Sequence, residues 1–280
     1  MLLDIIYVLF VTDIIFQILF FEDFMNIDNN FTIFEGMTSV SALIHSAEEN
    51  PTYARKIIKI VYDCDKERKK LHQLAFLRAK SKSLGFSLEA LSSEEIDALA
   101  TGTTHGGFLA FCTERTYPEL SENAINRNGI YYLLEGIEDP YNFGYVLRAL
   151  YASGADGAVL SKRNWMTAAG TVAKSSAGCS ELLPLFESDP EDAVKLFKSL
   201  GFKILSANIR DSELIYDADL KSPLLFIIGG EKRGISRNLL GLTDQNIRIG
   251  YGRDFSGSLP SAEATAIIAF EVAKYNKRIK

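Results

Sequence analysis

The sequence predicts an α/β fold built on a mainly parallel sheet with helices on both faces. In the second half of the chain, short apolar runs alternate with helix-like segments, as expected when covering helices connect parallel strands. The apolar runs, such as residues 224–228, are continuous rather than alternating with polar residues, which is typical of strands buried on both faces. A length of 280 residues leaves room for a second, smaller domain.

The elements of the larger domain, residues 129–280, follow one another in a regular order. The polar stretch 116–128 has no clear period and predicts an interdomain linker. Beyond it we predict strand 130–134, helix 144–153, strand 157–160, helix 190–200, strand 202–206, strand 224–228, a short helix near Ser236, strand 246–250 and helix 264–275.

The front domain, residues 25–115, is predicted to be a small α/β unit. Its signals are a strand at 57–62, a helix at 67–84, a helix N-terminus at Ser92 with Glu95 three residues later, and a strand at 108–111. His105 leads through two glycines into the last of these strands, and we interpret it as a turn residue satisfied by local hydrogen bonds.

Residues 1–24 form a strongly apolar extension before the front domain. Asp4 and Asp13 interrupt it, and no Lys or Arg flanks it, so neither a signal peptide nor a membrane anchor is expected. We interpret the segment as an extension upstream of a natural start at Met25. An apolar helix that packs on a partner is the alternative.

Polar, glycine-bearing loops follow three of the predicted strands. Ligands of open parallel sheets bind at the carboxyl ends of the strands, where these loops lie. The first loop and its helix contain Asn142, Gly144 and Arg148; the second contains Gly229, Gly230, Glu231 and Gly234; the third runs from Ile249 to Ser258 and Leu259. With a helix that starts near Gly144, Arg148 is expected in its second turn, near the mouth of a site.

These three groups, in this order, resemble the motifs of the SpoU (TrmH-like) RNA ribose methyltransferases of the SPOUT superfamily. The resemblance implies a trefoil knot at the C-terminal end of the sheet and a ribosomal-protein-like substrate-binding domain in front of it. It also implies methyl transfer from S-adenosylmethionine to a ribose 2′-hydroxyl of rRNA or tRNA, in a homodimer whose second subunit completes the pocket. The small residues of the last helix, Ala262, Ala264, Ala266 and Ala269, suit close packing at such an interface.

The resemblance assigns roles residue by residue. Gly229, Gly230, Gly234, Ile249, Ser258 and Leu259 are expected to bind the cofactor, and Arg148, Asn142 and Glu231 to form the catalytic group. Because a guanidinium donates hydrogen bonds but does not accept them, we interpret Arg148 as a phosphate anchor and charge stabiliser rather than as a base. Asn142 would orient Arg148 or the ribose, and Glu231 would hold the loop or contact both.

Two positions depart from the family pattern. Lys232 replaces a usual Gly, and Pro260 replaces an Asn linked to the catalytic pocket. A catalytically silent RNA- or cofactor-binding protein on the same scaffold is therefore the alternative. A nucleotide-binding oxidoreductase is disfavoured because no G-x-G-x-x-G sequence opens the first strand-to-helix unit.

Charge and cysteine content limit the remaining possibilities. The net charge is −6, which argues against a generally basic surface, so RNA contacts are expected in a local block that includes Arg55, Lys56, Arg68, Lys69 and Lys70. Three widely spaced cysteines and three scattered histidines predict a cytoplasmic protein without a metal site.

Overall fold

The computed structural model describes residues 31–161 and 168–279. Contacts divide the chain into two units, Met1–Phe31 and Thr32–Lys280, and every element below belongs to the second. The predicted apolar extension at 1–24 lies outside the described residues. Within the described ranges, no helix is both long enough and apolar enough to cross a membrane.

A mixed four-stranded sheet forms the front of this unit. Its strands are β1 (Thr32–Glu35), β2 (Ile57–Asp63), β3 (Ser87–Leu91) and β4 (Phe108–Cys112), in the spatial order β1-β4-β2-β3. They are accompanied by helices α1 (Gly36–Glu49), α2 (Leu71–Leu84) and α3 (Ser93–Leu99). Strand β4 is antiparallel to β1 and β2, whereas β2 and β3 are parallel.

The predicted helix at 67–84 is two elements rather than one. A 3₁₀ helix spans Cys64–Lys69, and α2 begins only at Leu71. The carboxylate of Asp63 starts the 3₁₀ turn because it accepts the Asp65 N–H at 3.1 Å. The predicted N-terminus at Ser92 is confirmed, since Ser92 and Glu95 form a reciprocal capping box at the start of α3.

The second sheet has seven strands, and every pairing in it is parallel. Its strands, in chain order, are β5 (Ile130–Glu135), β6 (Gly157–Leu160), β7 (Leu185–Glu187), β8 (Lys203–Ala207), β9 (Ser212–Leu214), β10 (Leu224–Gly229) and β11 (Gln245–Arg248). The spatial order is β7-β6-β5-β10-β8-β11-β9. The prediction of a mainly parallel sheet is confirmed.

Helices cover both faces of this sheet. They are α4 (Pro140–Ala152), α5 (Ala169–Ser175), α6 (Cys179–Leu182), α7 (Pro190–Ser199), α8 (Arg237–Leu240) and α9 (Ser261–Tyr275). Strand β5 divides the core: Tyr132 packs in a cluster with residues of α4 and α9, while its neighbour Tyr131 packs in a second cluster with Phe197 of α7. Burial on both faces explains the continuous apolar runs of the sequence.

Helix α4 begins four residues earlier than predicted. Asp139 caps it by accepting the Asn142 N–H at 2.8 Å, and Pro140 occupies the first turn. Arg148 therefore lies in the third turn of the helix rather than in the second. Since α4 rises about 1.5 Å per residue, this shift moves Arg148 roughly 6 Å further from the start of the helix.

The short strands β7 and β9 were not predicted, and the segment 116–128 is packed against the sheet. Glu119 forms a bridge with Glu187, Ile125 is buried, and the Asn126 N–H donates to the Tyr131 hydroxyl at 2.8 Å. Three-residue strands are too short to give a periodic signal. The division into domains at 25–115, 116–128 and 129–280 stays a prediction.

The two sheets meet at α5 and α6. Ala169 and Ala173 of α5 pack into the core of the front sheet. Across the same junction, Lys174 Nζ lies 2.9 Å from Glu35 Oε2, and Arg55 Nε lies 3.1 Å from Glu181 Oε2. Helix α5 therefore lies between two strands of the second sheet in the sequence, but it packs against the core of the front sheet.

Candidate functional site

The three glycine-bearing loops meet around one cavity at the carboxyl ends of the parallel strands. Its volume is about 530 Å³, within the usual range for small-molecule sites. The six residues predicted to bind a cofactor all line it: Gly229, Gly230, Gly234, Ile249, Ser258 and Leu259. Apolar side chains of Ile235, Leu240 and Ile268 complete part of the wall.

The loop after β10 is shaped by contacts in which backbone meets backbone. The Gly230 N–H donates to the Glu135 carbonyl at 2.6 Å, and a Cβ at Gly230 would overlap the carbonyl oxygen of Gly136. A Cβ at Gly229 would lie 2.6 Å from the carbonyl carbon of Gly234. Gly230 therefore allows the loops after β5 and β10 to touch directly, and Gly229 allows the loop after β10 to fold back against its own strand end.

The third loop is tied to the second by the first turn of α9. Ser261 Oγ donates to the Gly229 carbonyl at 3.1 Å, and the Leu259 N–H donates to the Tyr251 hydroxyl at 3.3 Å. Pro260 is the N-cap of α9, and its carbonyl accepts the Ala264 N–H at 3.0 Å. The unusual proline is therefore compatible with this end of the cavity, because a proline before the first helical turn withholds no needed N–H.

Asn142 and Glu231 meet at the edge of the cavity. Asn142 Nδ2 donates to Glu231 Oε1 at 2.7 Å, across 89 residues of sequence. The cap at Asp139 sets the first turn of α4 and so places Asn142 opposite the loop after β10. Of the two partners that the sequence suggested for Glu231, Asn142 is present.

Arg148 is not brought to this pair within one chain. It is exposed on α4, and it is not among the residues that line the cavity. Six residues of helix separate it from Asn142 by about 9 Å along the axis and about 240° around it. The place of Arg148 near the mouth of the site therefore stays a prediction. Its neighbours on the exposed stripe are Tyr141 and Tyr145.

Gly144 serves packing rather than ligand approach. A Cβ on this residue would overlap Ser175 Oγ and would lie 2.9 Å from the Val172 carbonyl oxygen. The absence of a side chain lets α4 approach α5, which in turn contacts the front sheet. This close helix contact is the structural reason for glycine at position 144.

The residues of the predicted RNA-contact block differ in their exposure to solvent. The side chain of Arg55 is 5% exposed and paired with Glu181, so it is not available to an RNA and its assignment is corrected. Lys56, Arg68 and Lys69 are exposed, and Lys70 Nζ lies 5.9 Å from the centre of the Phe108 ring. These four remain candidates for phosphate contact.

His105 is held by local bonds, as the sequence analysis interpreted it. Its Nδ1 accepts the Gly107 N–H at 3.1 Å, and its Nε2 lies 2.9 Å from Asp97 Oδ1. Across residues 31–161 and 168–279, no group of three or more His, Cys, Asp or Glu side chains is arranged to hold a metal ion.

Arginines at the cavity were missed from the sequence. Arg210, Arg233, Arg237 and Arg248 all line it. Arg210 follows β8, Arg233 and Arg237 follow β10, and Arg248 ends β11. The four converge because β8 lies between β10 and β11 in the sheet. The only signal in the sequence was that Arg210 and Arg233 follow predicted strands within a few residues.

Comparison with known proteins places the chain among RNA-modifying enzymes. It is 28% identical over 252 residues to the 23S rRNA (guanosine-2′-O-)-methyltransferase RlmB of Shewanella oneidensis, covering 86% of this chain and 96% of that protein. It is 25% identical over 234 residues to a protein of Staphylococcus saprophyticus named as a TrmH family tRNA/rRNA methyltransferase, covering 81% and 92%.

Solved structures share the fold. The AdoMet-bound rRNA methyltransferase of Sinorhizobium meliloti superposes with a TM-score of 0.70 at 22% identity, covering 89% of this chain and 88% of that one. The SpoU family description, "SpoU rRNA Methylase family", matches residues 129–270, which is half of the sequence. The chain therefore belongs to the SpoU rRNA Methylase family.

Proposed function

We propose that this protein transfers a methyl group from S-adenosylmethionine to a ribose 2′-hydroxyl of rRNA or tRNA. The observation that carries the proposal is the convergence of all six predicted cofactor residues on one cavity, with Asn142 and Glu231 hydrogen-bonded at its edge. The relative from Shewanella oneidensis, whose name states a guanosine 2′-O-methyltransferase, supports the ribose as acceptor.

The cavity suits S-adenosylmethionine in its size and in its lining. Backbone groups of the glycine loop and apolar side chains such as Ile235 and Leu259 offer surfaces for an adenine and a ribose without a fixed charge. When bound, this cofactor supplies an electrophilic methyl group on a sulfonium. Contact with the protein would exclude water from that methyl group and fix the direction from which an oxygen can approach it.

Asn142 and Glu231 act as positioning residues in this proposal. Their hydrogen bond holds the first turn of α4 against the loop that lines the cavity. Arg148 would bind the phosphate next to the target ribose and stabilise the negative charge that develops on the 2′-oxygen as the hydroxyl proton leaves for solvent. The oxygen would then bond to the methyl carbon as the carbon–sulfur bond breaks. A guanidinium suits this role because it presents a fork of donors to phosphate oxygens.

A second copy of the chain would bring Arg148 to the site. The exposed stripe of α4 carries Tyr141 and Tyr145, which are 55% and 48% exposed, and the adjacent α9 exposes Phe270 at 42%. Such large apolar side chains around an isolated Arg suit a homodimer interface. Of the small residues predicted to serve that interface, Ala262 and Ala269 are buried within the chain, so they pack α9 internally.

The remaining expectations from the family stay within this proposal. They are the trefoil knot at the C-terminal end of the sheet, the ribosomal-protein-like character of the front sheet, RNA contacts through Lys56, Arg68, Lys69 and Lys70, and a location in the cytoplasm.

Transfer of a tritiated methyl group to total RNA tests the proposed reaction. We expect tritium in alkali-resistant dinucleotides, because a methylated 2′-oxygen can no longer attack the adjacent phosphodiester. Arg148→Ala should abolish most incorporation, whereas Arg127→Ala, which removes an exposed arginine far from the cavity, should not. Wild-type methylation by Arg148→Ala would contradict the role given to Arg148.

The silent alternative, suggested by Lys232 and Pro260, makes a different prediction. A binding protein without activity would take up S-adenosylmethionine in calorimetry but transfer no label to any RNA. Restoring the family residue with Pro260→Asn would then be expected to create activity. Label transfer by the unmodified protein would exclude this alternative.

A further inference from the structure

Among the residues that the structure describes, three arginines around the cavity are exposed and have no acidic partner. Arg210 follows β8, Arg233 lies in the loop after β10, and Arg237 opens α8. Within the described residues, no carboxylate lies within ion-pair distance of any of them. The fourth arginine of the cavity, Arg248, is different, because its Nη1 donates to the Ser212 carbonyl.

Neighbouring cations of the same protein are neutralised. Lys232, which directly precedes Arg233, lies 3.0 Å from Glu138. Lys198 lies 3.1 Å from Asp244, which follows the short helix α8 in sequence. In a chain with a net charge of −6, three unpaired guanidinium groups around one cavity concentrate positive charge at that place.

One acid shares this cavity, and it offsets at most one of these three charges. Glu231 lines the cavity, and its Oε1 accepts the Asn142 amide N–H at 2.7 Å. The guanidinium groups can therefore donate hydrogen bonds to water or to an anion from outside the chain. Each presents a planar fork of N–H donors, which matches the oxygens of a phosphate in a bidentate arrangement.

We propose that Arg210, Arg233 and Arg237 bind backbone phosphates of the RNA on either side of the nucleotide that faces the cavity. This proposal rests on the proposed function, since it names the RNA contacts of that same site. We refer to the three residues as the arginine rim. Contacts of this kind fix the position of the strand and carry no sequence information.

Charge favours a polyanion over the cofactor as the ligand of the rim. S-adenosylmethionine carries a sulfonium and an ammonium against one carboxylate, so its net charge is positive. Its single carboxylate is one anionic group, too few to engage three guanidinium groups. An RNA strand, in contrast, presents a series of phosphates at a spacing that several arginines can bind together.

The salt dependence of RNA binding tests the rim. The variant carrying Arg210→Gln, Arg233→Gln and Arg237→Gln should lower the slope of log affinity against log salt by about 2, given roughly 0.7 per phosphate on a single strand. The affinity advantage of the wild type over the variant should then shrink about 16-fold between about 50 and 200 mM salt. Bulk rRNA and bulk tRNA serve as probes.

A matched control separates local contact from overall charge. Arg127→Gln, Lys195→Gln and Lys274→Gln together remove the same three charges from exposed residues that are paired with acids elsewhere. We expect this control to leave the slope within a few tenths of the wild-type value. Equal loss of slope in both triple variants would overturn the proposal, as would an unchanged slope in the rim variant.

Cofactor binding distinguishes the rim from a carboxylate site. Calorimetry with S-adenosylmethionine, and with methylthioadenosine, which lacks the amino acid group, should give similar affinities for wild type and rim variant. Loss of S-adenosylmethionine binding alone would assign the arginines to the carboxylate and overturn the proposal. A wild type that binds RNA through the rim but transfers no methyl group would contradict the proposed function and leave the rim intact.

Discussion

The junction between the two sheets and the cavity of the second sheet differ in how their arginine charges are balanced. At the junction, Arg55 and Glu181 are 5% and 3% exposed and lie 3.1 Å apart. Around the cavity, the arginine rim is exposed and has no carboxylate partner among the described residues. Both regions hold arginines, yet only one of them supplies the counter-charge from the chain itself.

The difference follows from what desolvation permits. A buried charge costs several kcal/mol unless a partner compensates it, so the junction charges must be matched within the fold. An exposed guanidinium keeps its water and can remain unpaired until an anion arrives. Paired burial therefore indicates a fixed structural contact, and unpaired exposure beside a cavity indicates a contact with something outside the chain.

Removing the junction carboxylate should give the largest effect. Glu181→Gln leaves the buried cations Arg55 and Arg115 facing an amide, and we expect a loss of about 3–5 kcal/mol in the free energy of unfolding. Urea denaturation measures it. Glu48→Gln, which breaks the exposed pair with Lys80, is the control and should cost no more than about 1 kcal/mol. Equal losses in the two variants would show that the buried junction pair contributes no more stability than an exposed pair.

A side chain at Gly144 should disturb the link between the junction and the site. Gly144→Ala forces α4 away from Ser175, and overpacking of this kind costs about 1–3 kcal/mol, against a gain of about 1 kcal/mol in helix propensity. We expect a net loss of unfolding free energy. Adding Ser175→Gly removes the nearest obstructing atoms, so the double variant should lose less than the two single variants together.

Lowering the pH should reduce the stability that the junction contributes, because a junction carboxylate becomes protonated, whereas the guanidinium groups of the rim stay charged. Burial alone would raise the pKa of Glu35, but the Lys174 ammonium and the amides of Thr101 and Gly102 outweigh it and hold the pKa below its usual 4.5. The stability that this carboxylate contributes is therefore complete above about pH 4.5 and is lost as the pH falls through the folded pKa.

Denaturation midpoints measured from neutral to acid pH check this sign. Glu35→Gln should flatten the acid side of the stability profile and lower the plateau near neutral pH. A variant whose profile has the same steepness as the wild type would assign the acid loss to other carboxylates, of which Asp63 is the nearest in kind, since its pKa is also lowered.

The smallest expected effect on stability is that of removing a charge from the arginine rim. Arg237→Gln should change the free energy of unfolding by no more than about 0.5 kcal/mol, because the side chain is exposed and has no carboxylate partner within residues 31–161 and 168–279. Thermal or urea unfolding of the purified variant measures it. A loss comparable to that of Glu181→Gln would mean that the rim arginine has a structural partner after all.

Much of the site could be predicted from the sequence because its loops carry local signals. Glycines after buried strands located the cavity, and parallel order alone implies that such loops share one edge of the sheet. The start of α4 was also readable, since Asp139 before Pro140 is the pattern of an N-cap and a first helical residue, although the glycine at 144 was preferred as the start.

What could not be predicted depends on distant pairing. Arg55 stands in a basic run, and nothing near it in sequence indicates a buried partner 126 residues away. The arginine rim escaped prediction for the same reason, because Arg210 reaches the cavity only through the position of β8 beside β10 and β11. Arg148 was predicted one turn too early because the helix starts four residues before the predicted start.

The contact between Gly136 and Gly230 has a mechanical consequence. Backbone lies against backbone there, so no flexible side chain is present to absorb a displacement. A molecule that moves the loop over the cavity must also move the segment that leads into α4, which the Asn142–Glu231 bond reinforces. Occupancy of the cavity would in this way be transmitted to the first turn of α4 and to the exposed tyrosines of that helix.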